Sequence, residues 1–254
     1  MTVTTTREGH VAVVTFARPP HNHADLALIE AIGAAFDACD GDREVRAILL
    51  RSEGRVFCAG ADLSNDNPVA DGVTPQRNPF YVAAAKLFGV AKPVVAAVQG
   101  SAVGAGLGLA LVADFRVASP EARFVANFVQ LGFHPGFGIS AVLSQVVGRQ
   151  RAAMMLLTGR RVRGEEAHEW GLADRFATAD GLDAAAMALA QEIAAGAPLA
   201  VQSTRATLRG DLRALVERQT DHELAEQARL QKTRDFAEGV RAVAERRPGR
   251  FRGE

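Results

Sequence analysis

The sequence has few cysteines and no surplus of charge of either sign. Only Cys39 and Cys58 occur among its 254 residues, too few for a disulfide scaffold or a cysteine-bound metal cluster. Two thiols fit a reducing compartment, so we expect a cytoplasmic protein. The 29 basic and 29 acidic side chains cancel. Because no basic excess is available to bind a phosphate backbone, we do not expect nucleic acid as a partner.

The amino terminus lacks an apolar run behind basic residues and does not resemble a signal peptide. One internal stretch, 94–113, has only Gln99 and Ser101 as polar residues and is long enough to span a bilayer. Four glycines lie within it, and each is about 1 kcal/mol worse than alanine inside a helix. The stretch therefore predicts a buried strand, a glycine-rich turn and a buried helix, with no membrane partner.

Strands alternate with helices up to about residue 135, and helices follow, which predicts an α/β core with a helical tail. A length of 254 residues allows one large domain or two modest ones. The predicted strands are 11–18, 45–50, 94–98, 115–118 and 123–128, and the predicted helices before residue 135 are 24–40, 81–90 and 107–113. After Gly136 the pattern predicts helices in pieces that end at glycines.

Two glycine-rich segments, 57–63 and 97–106, place small residues where a strand turns towards a helix. Small side chains let a ligand approach the backbone, and free amides at the start of a helix bind negative charge. Two such amides that converge on one oxygen would form an oxyanion hole. The alternative is that the glycines serve only tight turns and close helix packing.

Other glycine motifs fit less well. The run Gly104-Ala105-Gly106 continues to Leu109, where a dinucleotide fingerprint needs a third glycine. Ser101 stands in the wrong place for a nucleophile elbow. A P-loop lysine is lacking, and the histidines and carboxylates do not have zinc spacing, so we expect no metal.

Five ordered segments, which cover almost the whole chain, resemble motifs of the crotonase family, the enoyl-CoA hydratase/isomerase family. They are 57–63 (FCAGADL), 92–106 (KPVVAAVQGSAVGAG), 131–138 (LGFHPGFG), 158–172 (TGRRVRGEEAHEWGL) and 238–251 (EGVRAVAERRPGRF). The resemblance implies a superhelical core of ββα units, residues 1–195, and a C-terminal helical oligomerisation region, residues 196–254. It further implies a homotrimer or a hexamer of two trimers. Its ligand would be an acyl-CoA or enoyl-CoA thioester, so coenzyme A is part of the substrate and no separate cofactor is expected.

The resemblance also places the site. The thioester oxygen would lie between the amides of Ala61 and Ala105, and an alanine at 105, where the family usually has glycine, keeps the amide and adds a methyl group. The loop 18–24 would lie near the nucleotide part of coenzyme A, with its polar side chains solvated, and Phe251, with Arg247 nearby, would reach the ligand of a neighbouring subunit. The residues implied to contact the substrate are Arg18, His21, Asn22, Ala59, Ala61, Asp62, Leu63, Gly104, Ala105, Phe128 and Phe251.

The two glutamates with which typical hydratases hold and activate water are absent. The family positions are occupied here by Gly108 and Phe128, and neither residue can transfer a proton. We therefore do not expect efficient hydration.

The candidate replacement is His134, because imidazole transfers protons at neutral pH; the alternative is a histidine that caps a turn through backbone bonds. Asn127 and Gln130, predicted on a strand, could orient water or a carbonyl but are not bases. Tyr81 and Cys58 are expected to pack in the core. Three functions remain open: an enzyme that stabilises a thioester enolate, a β-dicarbonyl hydrolase or C–C lyase that uses His134, and a non-catalytic acyl-CoA-binding protein.

Overall fold

The structure is a computed structural model, which describes residues 1–61 and 78–254. Asp62, Leu63 and nearly all of the predicted loop 64–78 lie outside the described residues. The strands are β1 Thr2–Glu8, β2 Val11–Ala17, β3 Ala47–Ser52, β4 Val94–Val98, β5 Ser101–Val103, β6 Phe115–Ala118, β7 Arg123–Val125, β8 Arg161–Arg163 and β9 Arg175–Phe176. The α-helices are α1 Leu26–Gly41, α2 Pro79–Leu87, α3 Ala105–Val112, α4 Ile139–Thr158, α5 Gly164–Glu169, α6 Leu182–Ala194, α7 Pro198–Arg209, α8 Leu212–Leu230 and α9 Arg234–Ala244, and a 3₁₀ helix spans Asn127–Leu131.

A six-stranded sheet with the order β1-β2-β3-β4-β6-β9 forms the centre of the core. Only β1 and β2 pair antiparallel within it, and the other neighbours are parallel. Every second residue along β2, β3 and β4 points to one face of the sheet and packs against α6. The remaining residues point to the other face and pack in the cluster that includes α1 and α2. Because helices cover both faces, these strands are continuous apolar runs.

A second sheet, β5-β7-β8, holds the segment that leads to α3. The apolar stretch 94–113 is divided among β4, β5 and α3, which confirms the predicted strand, turn and helix. No single described helix has the length and apolar composition to cross a membrane, although α6 and the region 198–230, bent by 103°, meet that test as a pair.

The structure corrects three predictions of secondary structure. Strand β7 ends at Val125 because its parallel partner β5 is only three residues long, and a 3₁₀ helix follows where the sequence predicts strand to Phe128. β8 and β9 interrupt the region predicted as helical, since each completes the edge of a sheet built by earlier strands. β1, which pairs residue for residue with β2, was not predicted.

The helices after residue 195 return to the core. Helix α8 contacts α2 and α4, and α9 contacts the 3₁₀ helix. The division of the chain at residue 195 stays a prediction.

Candidate active site

The two glycine-rich segments lie side by side. The amide of Cys58 donates to the carbonyl of Ser101, and the amide of Val103 donates to the carbonyl of Cys58, each at 3.0 Å. A Cβ atom at Gly106 would lie 2.1 Å from the Cys58 carbonyl oxygen, so only glycine permits this approach. Ala61 is therefore placed near the start of α3.

Ala105 is the first residue of α3, so its N–H has no partner in the helical hydrogen-bond ladder. In the described part of the chain, neither Ala61 nor Ala105 donates its N–H to a backbone carbonyl. Both residues line the same cavity, which has a volume of about 350 Å³. Their assignment as an oxyanion hole stays a prediction.

The cavity is predominantly apolar. Of the residues implied to bind substrate, Ala59, Ala61, Gly104, Ala105 and Phe128 line it. The polar side chains among its described lining are those of His23, Asn127, Gln227 and Tyr81, and the large apolar ones are Phe80, Phe128, Leu131, Phe133, Phe137, Val240 and Val243. Residues of α8 and α9 thus close a site that begins in the core.

Aromatic rings fill the space at positions 108 and 128, where the resemblance implies that a hydratase carries its glutamates. A Cβ atom at Gly108 would lie 2.5 Å from Cδ1 of Phe137, whose side chain is fully buried. Phe128 lines the cavity itself, and its ring edge would lie 3.6 Å from a Cβ atom at Gly104. No carboxylate belongs to the described lining of the cavity.

His134 is not among the described residues that line the cavity. Its Nδ1 lies 2.9 Å from the carbonyl oxygen of Pro135, and its ring meets the ring of His222 edge to face at 5.8 Å. This backbone bond matches the alternative of a histidine that caps a turn, and the geometry gives no support to a base at this position. A catalytic role for His134 stays a prediction.

Asn127 and Gln130 are on the 3₁₀ helix and not on a strand, which corrects their predicted setting. Asn127 lines the cavity. Gln130 instead donates from Nε2 to the carbonyl of Thr158 at 3.1 Å. The two amides therefore have different neighbours.

Asn22 is buried, which corrects the prediction that its side chain is solvated. Its Oδ1 accepts from the amide of Arg18 at 2.7 Å, and its Nδ2 donates to the carbonyls of Glu53 and Val56, both at 2.8 Å. The backbone of Asn22 has a φ of +53°, which asparagine tolerates better than most residues. Asn22 thus joins the loop 18–24 to the segment that precedes the first glycine turn.

Arg18 and His21 belong to the same loop. The Arg18 guanidinium pairs with Asp25 at 2.9 Å and donates to the carbonyl of His23, so it orders the loop from within. His21 is exposed, as predicted, and its ring lies edge to face against the ring of His23 at 5.9 Å. Contact of these side chains with coenzyme A stays a prediction.

His23 is the site residue that sequence reasoning missed. It lines the cavity, and its Nδ1 lies 3.1 Å from the carbonyl oxygen of Gly60. His23 is adjacent to Asn22 in the sequence, but no spacing rule predicts that it lies near Ala61. Only the hydrogen bonds between the loop 18–24 and the glycine turn bring the two residues together. The amide of Ala24 donates to the same Gly60 carbonyl at 2.9 Å.

Tyr81 is buried, as predicted, and its hydroxyl donates to Oε1 of Gln227 at 2.6 Å. Gln227 in turn donates to the carbonyl of His134 at 3.0 Å. Burial raises the pKa of the Tyr81 phenol. The pair therefore ties α2, α8 and the loop after the 3₁₀ helix together at the rim of the cavity.

Glu223 on α8 caps the start of α4. Its carboxylate accepts hydrogen bonds from the amides of Gly138 and Ser140 and from the Ser140 hydroxyl. The residue is fully buried, and burial raises the pKa of its carboxyl to about 7. Glu223 is not part of the cavity lining, so its contacts fix the loop that carries Phe137.

Cys58 and the C-terminal residues complete the predicted set. Burial raises the pKa of the Cys58 thiol to about 12, as fits a packed turn residue and not a nucleophile. Phe251 is 43% exposed, and Arg247 is paired with Glu238 and Glu245 of its own chain. Contact of Phe251 with a neighbouring subunit stays a prediction.

The chain folds into an α/β core wrapped by helices, with an apolar cavity bounded by two glycine-rich turns. The model of the enoyl-CoA hydratase/isomerase family matches residues 6–254. The chain is 38% identical over 223 residues to a probable enoyl-CoA hydratase of Mycobacterium tuberculosis, with 87% of this chain and 86% of that protein covered. It is 32% identical over 256 residues to the 1,2-epoxyphenylacetyl-CoA isomerase of Escherichia coli, with 97% of each covered.

Solved structures agree. An enoyl-CoA hydratase/isomerase from Pseudoalteromonas atlantica superposes with a TM-score of 0.87 at 29% identity, with 98% of this chain and 99% of that chain covered. The protein therefore belongs to the enoyl-CoA hydratase/isomerase family and has the crotonase fold.

Proposed function

We propose that this protein binds an acyl-CoA thioester and stabilises its enolate with the amides of Ala61 and Ala105, and that it is not an efficient hydratase. The observation that carries the proposal is the shared cavity, which both residues line and whose described lining holds no carboxylate. Amide donors aimed at a developing negative charge act strongly in such a site because little water competes with them. Addition of water across a double bond needs a proton donor and acceptor that the lost glutamates would supply.

The test removes one amide and leaves the helix in place. Proline is tolerated at the first position of a helix, so Ala105→Pro deletes the N–H without disrupting the helix. Turnover, or exchange of the protons on the α carbon of a thioester, should fall by a factor of about 10²–10³. Ala105→Gly retains the N–H and is the matched comparison; its rate should fall far less. Equal rates for the two variants would contradict the assignment.

Hydration itself is tested with a panel of enoyl-CoA thioesters. We expect slow or absent addition of water compared with exchange at the α carbon. Fast hydration by the unaltered protein would refute the second half of the proposal. Release of free CoA, or cleavage of a diketone, would instead favour the β-dicarbonyl hydrolase or lyase, for which His134 was the expected base.

A non-catalytic acyl-CoA-binding protein is the second candidate, favoured by the same lack of a carboxylate in the described cavity lining. Such a protein would be stabilised by ligand according to RT ln(1 + [L]/Kd), or about 2.7 kcal/mol at a hundredfold excess over Kd. A rise in Tm with acyl-CoA and no reaction of any thioester would decide for this candidate.

We further propose that the protein is a cytoplasmic homotrimer or a hexamer of two trimers. Large apolar side chains on α4 and α7, those of Leu157, Leu199 and Leu208, are more than three-quarters exposed in the single chain. Exposed apolar groups of this size support an interface. Sedimentation velocity measures the assembly directly, and a monomer at micromolar concentration would contradict it.

A further inference from the structure

His23 combines three features at the cavity. It lines the cavity together with Ala61 and Ala105. It is held by the carbonyl of Gly60, the residue directly before Ala61. Among the described residues of the lining it is the only imidazole, and the only other ionisable side chain there is the phenol of Tyr81.

The contact with Gly60 determines which ring nitrogen carries the proton. A carbonyl oxygen only accepts hydrogen bonds, so Nδ1, 3.1 Å away, is the protonated nitrogen. In neutral imidazole the other nitrogen, Nε2, then has a free electron pair. Within the described residues the ring makes no other hydrogen bond, and its one ring contact is with His21. Nε2 is therefore available to accept a proton.

The other candidates for this task are less suitable. The Tyr81 hydroxyl donates to Gln227, and burial raises the pKa of the phenol, so it is a poor base. His134 does not belong to the described lining of the cavity and faces His222. Asn127 and Gln227 carry amides, which do not take up protons at neutral pH.

We infer that Nε2 of His23 removes and returns the proton on the α carbon of the bound thioester. The C–H electron pair becomes the double bond between the α carbon and the thioester carbon. The carbonyl electrons move to the oxygen, where the amides of Ala61 and Ala105 hold the charge, and the proton bonds to Nε2, which gives an imidazolium. Return of the proton reverses each change. The inference rests on the proposed enolate function and adds the base that it needs.

Exchange in deuterium oxide measures this step without a net reaction. Phenylacetyl-CoA, whose phenyl ring suits an aromatic-lined cavity, is incubated with the protein, and its α protons are followed by NMR. His23→Asn keeps a donor near the Gly60 carbonyl but has no basic nitrogen, and His23→Gln is a second variant with a different reach. In each the exchange rate at saturating thioester should fall by about 10²–10⁴-fold, while Tm and affinity for the thioester change little.

Two further variants complete the design. His10→Asn is the matched control, because Nδ1 of His10 also lies near a backbone carbonyl, at 2.9 Å from Glu44, but on the exposed surface. It should exchange like the unaltered protein. His134→Asn tests the rival base and should also retain exchange.

The possible failures are distinguishable. Exchange that survives both His23 variants, or that is lost only in His134→Asn, overturns this inference and leaves the enolate function intact. Variants at His23 that bind thioester more weakly but exchange at the normal rate when saturated also overturn it, since they would show a binding role. A lack of exchange in the unaltered protein, despite thioester binding, overturns both the inference and the enolate function.

Discussion

Gly108, one of the two positions where the resemblance implies a hydratase glutamate, offers the sharpest structural test. A Cβ atom there would lie 2.5 Å, 2.7 Å and 2.8 Å from three atoms of Phe137, all well inside van der Waals contact. Phe137 is fully buried and cannot move aside freely. Overpacking of this kind costs about 1–3 kcal/mol, and replacing glycine by alanine inside a helix regains about 0.8–1.0 kcal/mol. Gly108→Ala should therefore destabilise the protein by about 0–2 kcal/mol.

Gly33 on α1 provides the matched control. A Cβ atom at Gly33 meets only Cδ2 of Leu87, at an ordinary 3.6 Å. Gly33→Ala should thus stabilise by up to about 1 kcal/mol, and the two variants should differ by about 1–3 kcal/mol. At roughly 2–4 °C per kcal/mol for a domain of this size, their Tm values should differ by about 2–12 °C.

A double-mutant cycle completes the assay. Phe137→Ala alone removes a buried ring and should cost about 3–5 kcal/mol. In the double variant with Gly108→Ala the contacts with the two ring atoms at 2.5 Å and 2.7 Å are gone and only the contact with Cβ of residue 137, at 2.8 Å, remains, so the two costs should be less than additive. Equal Tm shifts for Gly108→Ala and Gly33→Ala, or strict additivity with Phe137→Ala, would refute the conclusion that the Phe137 ring fills the space beside Gly108.

Three further outcomes follow from buried polar groups and thiols. The pKa of Glu223 is raised in the folded state from 4.5 to about 7. The contribution of this group to stability is therefore complete below pH 4.5 and is lost as the pH rises to about 7. Glu223→Gln should remove that loss, as urea titrations of both proteins across this pH range would show. Burial raises the pKa of Cys39 and Cys58, so a thiol reagent should react with neither in the native protein and with both in denaturant; rapid reaction of the native protein would contradict this. Asn22→Ala removes three hydrogen bonds and leaves the Arg18 amide and the Glu53 carbonyl without their partner, while the Val56 carbonyl keeps the Ser52 hydroxyl at 3.3 Å. Each group left unpaired costs about 1–3 kcal/mol if buried, so calorimetry should show a large drop in Tm. His21→Ala, on the exposed side of the same loop, should have little effect on Tm.

The apolar and glycine patterns carried most of the fold prediction. Strands β4 and β6 were predicted with the bounds that the structure has, because continuous apolar runs between turn residues have few alternatives. The short strands β5, β8 and β9 have two or three residues each. Segments of that length have no readable period, and only their pairing partners make them strands.

The site was predicted less evenly. The glycine turns were recognised because close backbone approach demands glycine at fixed positions, as the Gly106 contact with Cys58 demonstrates. The base was placed at His134, which bonds to its own loop. His23 lacked a signal in the sequence because the Gly60 carbonyl that orients it is 37 residues away.

The sequence by itself determined the family, the alternation of strands and helices in the core, the two glycine turns and the absence of a carboxylate at positions 108 and 128. These properties are local: each depends on residue type and on spacing over a few positions. Only the tertiary structure decided that Phe137 occupies the space beside Gly108, that Asn22 is buried, and that His23 and not His134 lies at the cavity. Those contacts join segments far apart in the chain, and such contacts are fixed by packing and backbone pairing that no short segment encodes alone.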